Sequence, residues 1–328
     1  MTPLLEIEGL VTRFPLPRGL VETVRGVPRR VVRAVDGISF SVGEGELVAL
    51  VGESGSGKTT TAQTLMRMAE PAAGAVRFRG RDITRLGHGE LKSIRRQMQM
   101  IYQDPYESLD PRFRVRRTVA EPLAVHRIGA TQEERDTRVV AALERAGLAP
   151  AERFLDRFPH QLSGGQRQRV AIAAALAPEP DLLIADEPVS MLDVDVRDGV
   201  LALLDGLRRS GLGILMITHD LSVAARHADR IAVMYLGRIV EEGPAADVIG
   251  HPVHPYTKAL VSAIPQADPR LRRRPEIKAG EAPDPAAIPS GCRFHPRCPV
   301  GVPSCAEDEP RVHEHGPGHW AACSLQLS

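Results

Sequence analysis

An α/β fold built around a phosphate-binding loop is predicted, and three stretches carry that expectation. Leu47-Val48-Ala49-Leu50-Val51 is a short, wholly apolar run of the kind that makes a buried parallel strand. It leads into Gly52-Glu53-Ser54-Gly55-Ser56-Gly57-Lys58-Thr59, which fits G-x-x-x-x-G-K-[ST], and Thr60 to Met68 can continue as a helix. Two more apolar runs follow, one ending on Asp186-Glu187-Pro188 and the other on His219-Asp220. Ligands gather at the carboxyl ends of strands in parallel α/β sheets, so these three ends are expected to share one crevice. The loop glycines let backbone N–H groups close around phosphate oxygens, and the helix N-terminus adds a favourable dipole. Lys58 is expected to reach the β- and γ-phosphates, and the Thr59 hydroxyl to ligate Mg²⁺. A nucleoside triphosphate is therefore the expected ligand.

The totals set bounds. The 328 residues suffice for roughly two domains with real cores. A hydrophobic share of 43% beside 25% charged residues is globular rather than disordered, and a net charge of +1 gives no global argument for nucleic acid or acidic lipid. The first residues show no basic segment followed by an apolar core, and no apolar run approaches the ~18 residues of a membrane span. Membrane association is expected to come through a partner.

Taken in order, residues 3 to 13 alternate apolar and polar and predict an edge strand. Phe14 to Gly19 breaks it, and a basic loop runs to about Arg33. Val31 to Val42 predicts another strand, so a small antiparallel β subdomain precedes the phosphate loop. Such a sheet can hold an aromatic against an adenine ring; Phe14 is the nearest candidate, with plain core as its alternative. Ala75 to Gly80 reads as a strand, Leu91 to Arg96 as a basic helix, and Met98 to Tyr102 as a strand ending at Gln103. Prolines at 105, 111 and 122 are expected to fragment the chain. Thr131-Gln132-Glu133-Glu134 is a capping-box pattern opening a helix to about Ala146. Residues 104 to 165 thus read as a helical insert. Leu162-Ser163-Gly164-Gly165-Gln166 then opens a helix through Leu176, whose free N–H groups offer a second place for phosphate oxygens.

Together, the phosphate loop, Gln103, Leu162 to Gln166, Asp186-Glu187 and His219 resemble the ATP-binding cassette of transporters, over roughly residues 4 to 250. The resemblance implies a phosphate-loop NTPase fold and a head-to-tail pair of cassettes. ATP would lie between the Gly52–Thr60 loop of one copy (Gly52, Glu53, Ser54, Gly55, Ser56, Gly57, Lys58, Thr59, Thr60) and Ser163, Gly164, Gly165 and Gln166 of the other. It also implies roles. Asp186, with Thr59 and Gln103, holds Mg²⁺; Glu187 is the general base; His219 hydrogen-bonds the γ-phosphate; Gln103 reports nucleotide state to a partner. Ser190-Met191-Leu192-Asp193 approaches the opposing cassette, and Met191 departs from the small residue common there. Gln103 to Arg112, His254 to Leu260 and Ala263-Ile264-Pro265 look like segments of dipeptide and oligopeptide importers. The Phe14 to Gly19 insertion resembles the second of the two unlike ATPases such importers carry. The implied partners are two membrane permease subunits, a sister ATPase in preference to a second copy, and, indirectly, an extracytoplasmic solute-binding protein. Nucleic acid is not among them. The implied location is the cytoplasmic face of the cell membrane, as a peripheral subunit.

Residues 1 to 250 are thus expected to form the cassette, and 251 to 328 a small, irregular C-terminal extension. All four cysteines fall in it, as Cys292-x5-Cys298-x6-Cys305-x17-Cys323, and Arg272-Arg273-Arg274 reads as a solvated linker. Clustered thiols more often mean metal than disulfides where no signal peptide is visible, but these spacings miss the usual zinc pairing. Four thiolates can hold an iron–sulfur cluster. The segment Gly291 to Pro299 resembles the extension of peptide-importer ATPases, where a [4Fe–4S] cluster is implied; zinc, with His295, His313, His315 or His319 helping, and four free thiols stay open. A cluster is expected far from the phosphates, as a staple or redox sensor. Three rival functions differ in class or cargo: an importer ATPase for another solute such as nickel, a soluble cassette ATPase acting on DNA or the ribosome, and an exporter component. A single cassette with only a short helical insert argues against the soluble ATPase.

Overall fold

The structure is a computed structural model, and it describes residues 3–18, 29–104, 108–264 and 283–325. Gly19, Pro105, Tyr106, Glu107, Pro265 and the Arg272–Arg274 run lie outside the described residues. Along the chain come β1 (Leu5–Pro15), β2 (Val31–Val42), β3 (Leu47–Val51), α1 (Lys58–Leu65), β4 (Ala73–Phe78), β5 (Arg81–Asp82), α2 (His88–Gln97) and β6 (Met98–Ile101). Helices α3 (Val115–His126), α4 (Gln132–Arg145), α5 (Glu152–Leu155) and α6 (Gly164–Leu176) follow. Then β7 (Leu182–Asp186), α7 (Val194–Arg209), β8 (Gly213–Thr218), α8 (Leu221–His227), β9 (Arg230–Tyr235) and β10 (Arg238–Pro244) alternate. The chain continues through α9 (Ala245–Gly250), α10 (Pro255–Ser262), α11 (Ser304–Glu307), β11 (Val312–Gly316) and β12 (His319–Ala322). The fold is α/β, as expected.

Two compact units divide the chain. The first comprises residues 1–5, 42–47 and 78–218. Its β6, β7 and β8 run parallel, and every residue of β7 and β8 is buried. Both strands read as continuous apolar runs because a parallel sheet is covered on both faces. Helices α3, α4 and α6 pack on one another, and α6 also packs on β6 and α7. Pro122 does not end a helix: it lies inside α3. The buried faces of Val115, Val119 and Leu123 hold that helix against its neighbours, outweighing the one backbone bond a proline removes. The predicted capping box at α4 is half formed. Thr131 Oγ1 accepts from Glu134 N at 3.2 Å, but the Glu134 carboxylate accepts from Ala130 N instead.

The second unit comprises residues 6–41, 48–77 and 219–328. In it β1 lies between β2 and β4, so it is not the edge strand expected, and β4, from beyond the phosphate loop, joins the small sheet that β1 and β2 begin. Helix α1 ends at Leu65 rather than running to Met68, because Arg67 takes a left-handed backbone at φ 53°. β3 pairs parallel with β9, β9 antiparallel with β10, and β10 antiparallel with β12. The C-terminal segment is therefore less irregular than expected: its β11–β12 hairpin extends the β9–β10 sheet. A buried Glu241 fastens this join, accepting from Val253 N at 2.9 Å and His254 N at 2.8 Å, with His319 Nε2 at 2.8 Å. No helix among the described residues is long and apolar enough to cross a membrane.

Candidate nucleotide site

In the second unit, the phosphate loop closes tightly behind the buried strand β3. Gly57 caps α1 in a left-handed conformation, φ 107°, and a Cβ there would stand 2.0 Å from Ala34 O. Only glycine fits. Lys58 is 6% exposed, and its Nζ donates to Gly52 O at 2.8 Å and Glu53 O at 2.9 Å, with Ser56 Oγ at 3.5 Å. The ammonium thus sits inside the curl of backbone that a phosphate would enter, a donor set that suits a polyphosphate. Thr59 and Thr60 follow in the first turn of α1, with Thr59 exposed, and Ser54 and Gly55 form the exposed tip of the loop. Phe14 stands at the end of β1 with 41% of its surface exposed, so it is not core. His219 is exposed directly after β8, where Asp220 caps α8 by accepting from Ser222 N at 2.9 Å and Val223 N at 3.4 Å.

In the first unit, Asp186 ends β7 and is 2% exposed. Glu187 leaves the strand in the left-handed region, φ 47°, its N–H donating to Ile217 O at 2.8 Å. A non-glycine residue at such a φ is strained and persists where its neighbours over-determine it. Ser190 does so twice, donating from N at 3.2 Å and from Oγ at 3.1 Å to Glu187 O. Gln103 Nε2 then donates to Glu187 Oε2 at 3.1 Å, joining two residues 84 positions apart that the sequence put in one site.

The Leu162–Gln166 turn forms a full capping box at the start of α6. Ser163 Oγ accepts from Gln166 N at 3.3 Å, and Gln166 Oε1 accepts from Ser163 N at 3.1 Å. Gly164 is half-buried and Gly165 buried, and a Cβ on Gly165 would lie 2.2 Å from Val196 Cγ1 on α7. Asp193 is exposed at the cap position of α7, and Met191 is 59% exposed. An overcrowded buried interior around Met191 is thereby ruled out within this chain.

All four cysteines line one small cavity in the second unit, together with His254, Phe294 and His295, and none is in a disulfide. Burial pushes the Cys292 and Cys323 thiols up, and the other thiols nearby add to the effect. Among the described residues, no three His, Cys, Asp or Glu side chains are grouped as a bound metal ion needs.

The cysteine segment nevertheless sends one side chain to the phosphate loop. Arg297, between Cys292 and Cys298, reaches the phosphate loop with a two-pronged ion pair, Nη1 to Glu53 Oε2 at 2.9 Å and Nη2 to Glu53 Oε1 at 3.1 Å. Tyr256 Oη accepts from Glu53 N at 2.9 Å. Sequence reading missed Arg297 and Tyr256, because their partner is more than 200 positions away and no spacing marks the pair.

Comparisons with known proteins show the family. A family model described as ABC transporter covers residues 35–190, and one described as the oligopeptide/dipeptide transporter C-terminal region covers 240–305. YkfD of Bacillus subtilis is 44% identical over 98% of this chain and 95% of its own length. The chain belongs to the ABC transporter family. The oligopeptide transport ATP-binding protein AppF of the same organism is 43% identical over 98% of this cassette protein and 97% of itself. Among solved structures, the dimeric cassette MJ0796, in a post-hydrolysis state bound to ADP and Pi, superposes with a TM-score of 0.64. It is 30% identical and covers 74% of this chain and 98% of its own.

Proposed function

We propose that the chain is the ATP-hydrolysing subunit of an importer that takes up di- or oligopeptides through a membrane permease. The observation that carries the ATPase reading is Glu187, held at a strained φ at the end of a buried strand with Gln103 on its carboxylate. The peptide cargo rests on relatives described as oligopeptide transport proteins and on the matched C-terminal region.

In this reading Lys58 exchanges its carbonyl partners for β- and γ-phosphate oxygens, and loop N–H groups from Gly57 to Thr60 wrap the same phosphates. Thr59, Asp186 and Gln103 would hold Mg²⁺, hard oxygen donors suited to that ion. When bound, the ion neutralises charge on the phosphates. Glu187 takes the proton of the attacking water, Gln103 fixes the carboxylate that takes it, and His219 donates to the γ-phosphate. Ser163 to Gln166 and Asp193 would face the nucleotide of a second cassette, and Phe14 the adenine of the nucleotide on this chain's own loop. Residues 1–250 serve as the cassette, and helices within 104–165 pass its motion to two permease subunits at the cytoplasmic membrane face. A sister ATPase is the expected second cassette, and a solute-binding protein feeds the permease. Residues 251–328 form the added module.

For that module the reading is a [4Fe–4S] cluster, on the ground that the four cysteines line one cavity, although their side chains are not grouped as a bound metal ion needs. A cluster interposes several atoms between its thiolates, so it needs them less closely grouped than zinc does. Iron and sulfide assays after anaerobic purification check this, and a folded, metal-free module would remove it. The import claim is tested by solute uptake in cells whose only copy carries Glu187→Gln, offering labelled dipeptides, longer peptides and nickel in parallel. Loss confined to peptides is expected; unchanged uptake of all three would remove import, and loss of nickel alone would change the cargo.

A further inference from the structure

A glycine- and serine-rich loop has many unbound conformations, and ordering it on nucleotide binding costs affinity unless something holds it beforehand. Here Glu53 is gripped at both ends. Its backbone N–H is bound by Tyr256 Oη at 2.9 Å, and its carboxylate by both prongs of Arg297. The Arg297 side chain is only 11% exposed, with its guanidinium 5.9 Å from the ring centres of Tyr235 and Phe294. The hydrogen bond to Glu53 holds its charge firmly, the pKa shifting upward.

The aromatic rings make the grip rigid. Phe294, 1% exposed, meets Tyr235 edge-on at 5.3 Å and Tyr256 at 5.4 Å, and the two tyrosines lie 4.7 Å apart. Behind them Arg293 binds Asp36 and Leu236 O, and Cys292 N donates to Cys305 O at 2.8 Å. The cysteine-bearing turn is thus a wedge whose point is Arg297. It also answers an electrostatic difficulty: Glu53 puts a carboxylate in a loop meant for phosphates, and an unpaired carboxylate there repels them.

We propose that Arg297 and Tyr256 are positioning residues for nucleotide binding, through which the C-terminal module holds the phosphate loop by Glu53. The inference rests on the reading of residues 52–59 as the nucleotide site. Hydrogen exchange without nucleotide tests the grip by itself: Arg297→Ala and Tyr256→Phe should speed exchange of the Glu53 to Gly57 amides. A fluorescent ADP analogue then measures affinity. Arg297→Ala should weaken binding roughly tenfold, the size of one lost charge-assisted pair, while kcat at saturating ATP stays within about twofold. Arg297→Lys should restore part of the loss. Adding Glu53→Ala to Arg297→Ala should also recover affinity, because the stranded carboxylate is gone; a mere packing defect would not be relieved that way. Unchanged loop exchange and affinity in folded Arg297→Ala and Tyr256→Phe would overturn the proposal, as would a double variant no tighter than Arg297→Ala. An unaltered chain that binds no nucleotide would count against the nucleotide site, and loop exchange would still decide the grip.

Discussion

Replacing His254 by Asn should flatten the acid sensitivity of the second unit. His254 is 1% exposed, and its Nδ1 accepts from Tyr256 N at 3.1 Å to cap α10. An accepting nitrogen carries no proton, and burial pushes the pKa down from 6.5 to about 3. Its backbone N–H is bound to Glu241, and the cavity it lines also holds His295, Asp308 and the four cysteines. The unfolded chain takes up a proton near pH 6.5 that the folded one refuses down to about pH 3, so stability falls with pH across that window. At about 1.4 kcal/mol per pH unit, the loss between pH 6.5 and pH 5 is about 2 kcal/mol. Asn is among the better helix caps and does not titrate, so His254→Asn keeps the bond to Tyr256 N and removes the proton. Urea unfolding can be followed by Trp320, the single tryptophan, which lies in β12 of this unit. The unaltered chain should lose about 2 kcal/mol more than the variant on going from neutral pH to about pH 5. Equal losses would refute the assignment of a neutral, buried imidazole.

Three further outcomes are expected. Glu187→Gln should lower ATP hydrolysis by roughly 10²–10⁴-fold while nucleotide affinity is kept, measured by phosphate release beside nucleotide binding; an unimpaired rate would remove Glu187 as base. Gly165→Ala should cost about 1–3 kcal/mol through the clash with Val196, whose β-branched side chain turns poorly in a helix, and Val196→Ala should restore it in a thermal melt. Burial works to raise the Asp36 carboxyl, but the Arg293 guanidinium, helped by Arg238 and Arg33, holds it below the usual range. Arg293→Met should therefore cost about 1–3 kcal/mol in urea unfolding by leaving the buried carboxylate only the longer ion pairs with Arg13 at 3.6 Å and Arg33 at 3.9 Å, and Asp36→Asn added to it should recover part.

Local chemistry made much of the fold legible. The strand at Leu47–Val51 and the strand at Val31–Val42 fall where hydrophobic pattern places them, since burial on both faces or on alternate faces writes itself into consecutive residues. The helix start at Leu162 to Gln166 was legible from local residue types, but the capping box that Ser163 forms there was not read. Pro122 misled because tertiary packing outweighed one lost backbone bond. The Arg297–Glu53 pair and the tail hairpin on β10 were out of reach, since pairing across 244 positions in one case and 78 or more in the other leaves no period to read. Of the candidate site, residue types were readable, and a hydrogen bond brings Gln103 and Glu187 together; the support beneath the loop was not readable.

The hairpin formed by β11 and β12 decides what the second unit shows to other protein molecules. Strand β10 carries buried Ile239, Val240, Glu241 and Glu242, and β12 lies along it with Glu241 opposite Ala321 and Glu242 opposite Trp320. Without that cover, β10 would present unpaired N–H and C=O groups along a buried strand that carries Ile239 and Val240, an open template for the next chain. The strand that replaces it at the border is only five residues long and mostly exposed, with His313, Glu314 and His315 in succession. Short, polar and hydrated, β11 offers little for a stray strand to join. A chain cut after the cassette should therefore be prone to clump even if its nucleotide loop were intact.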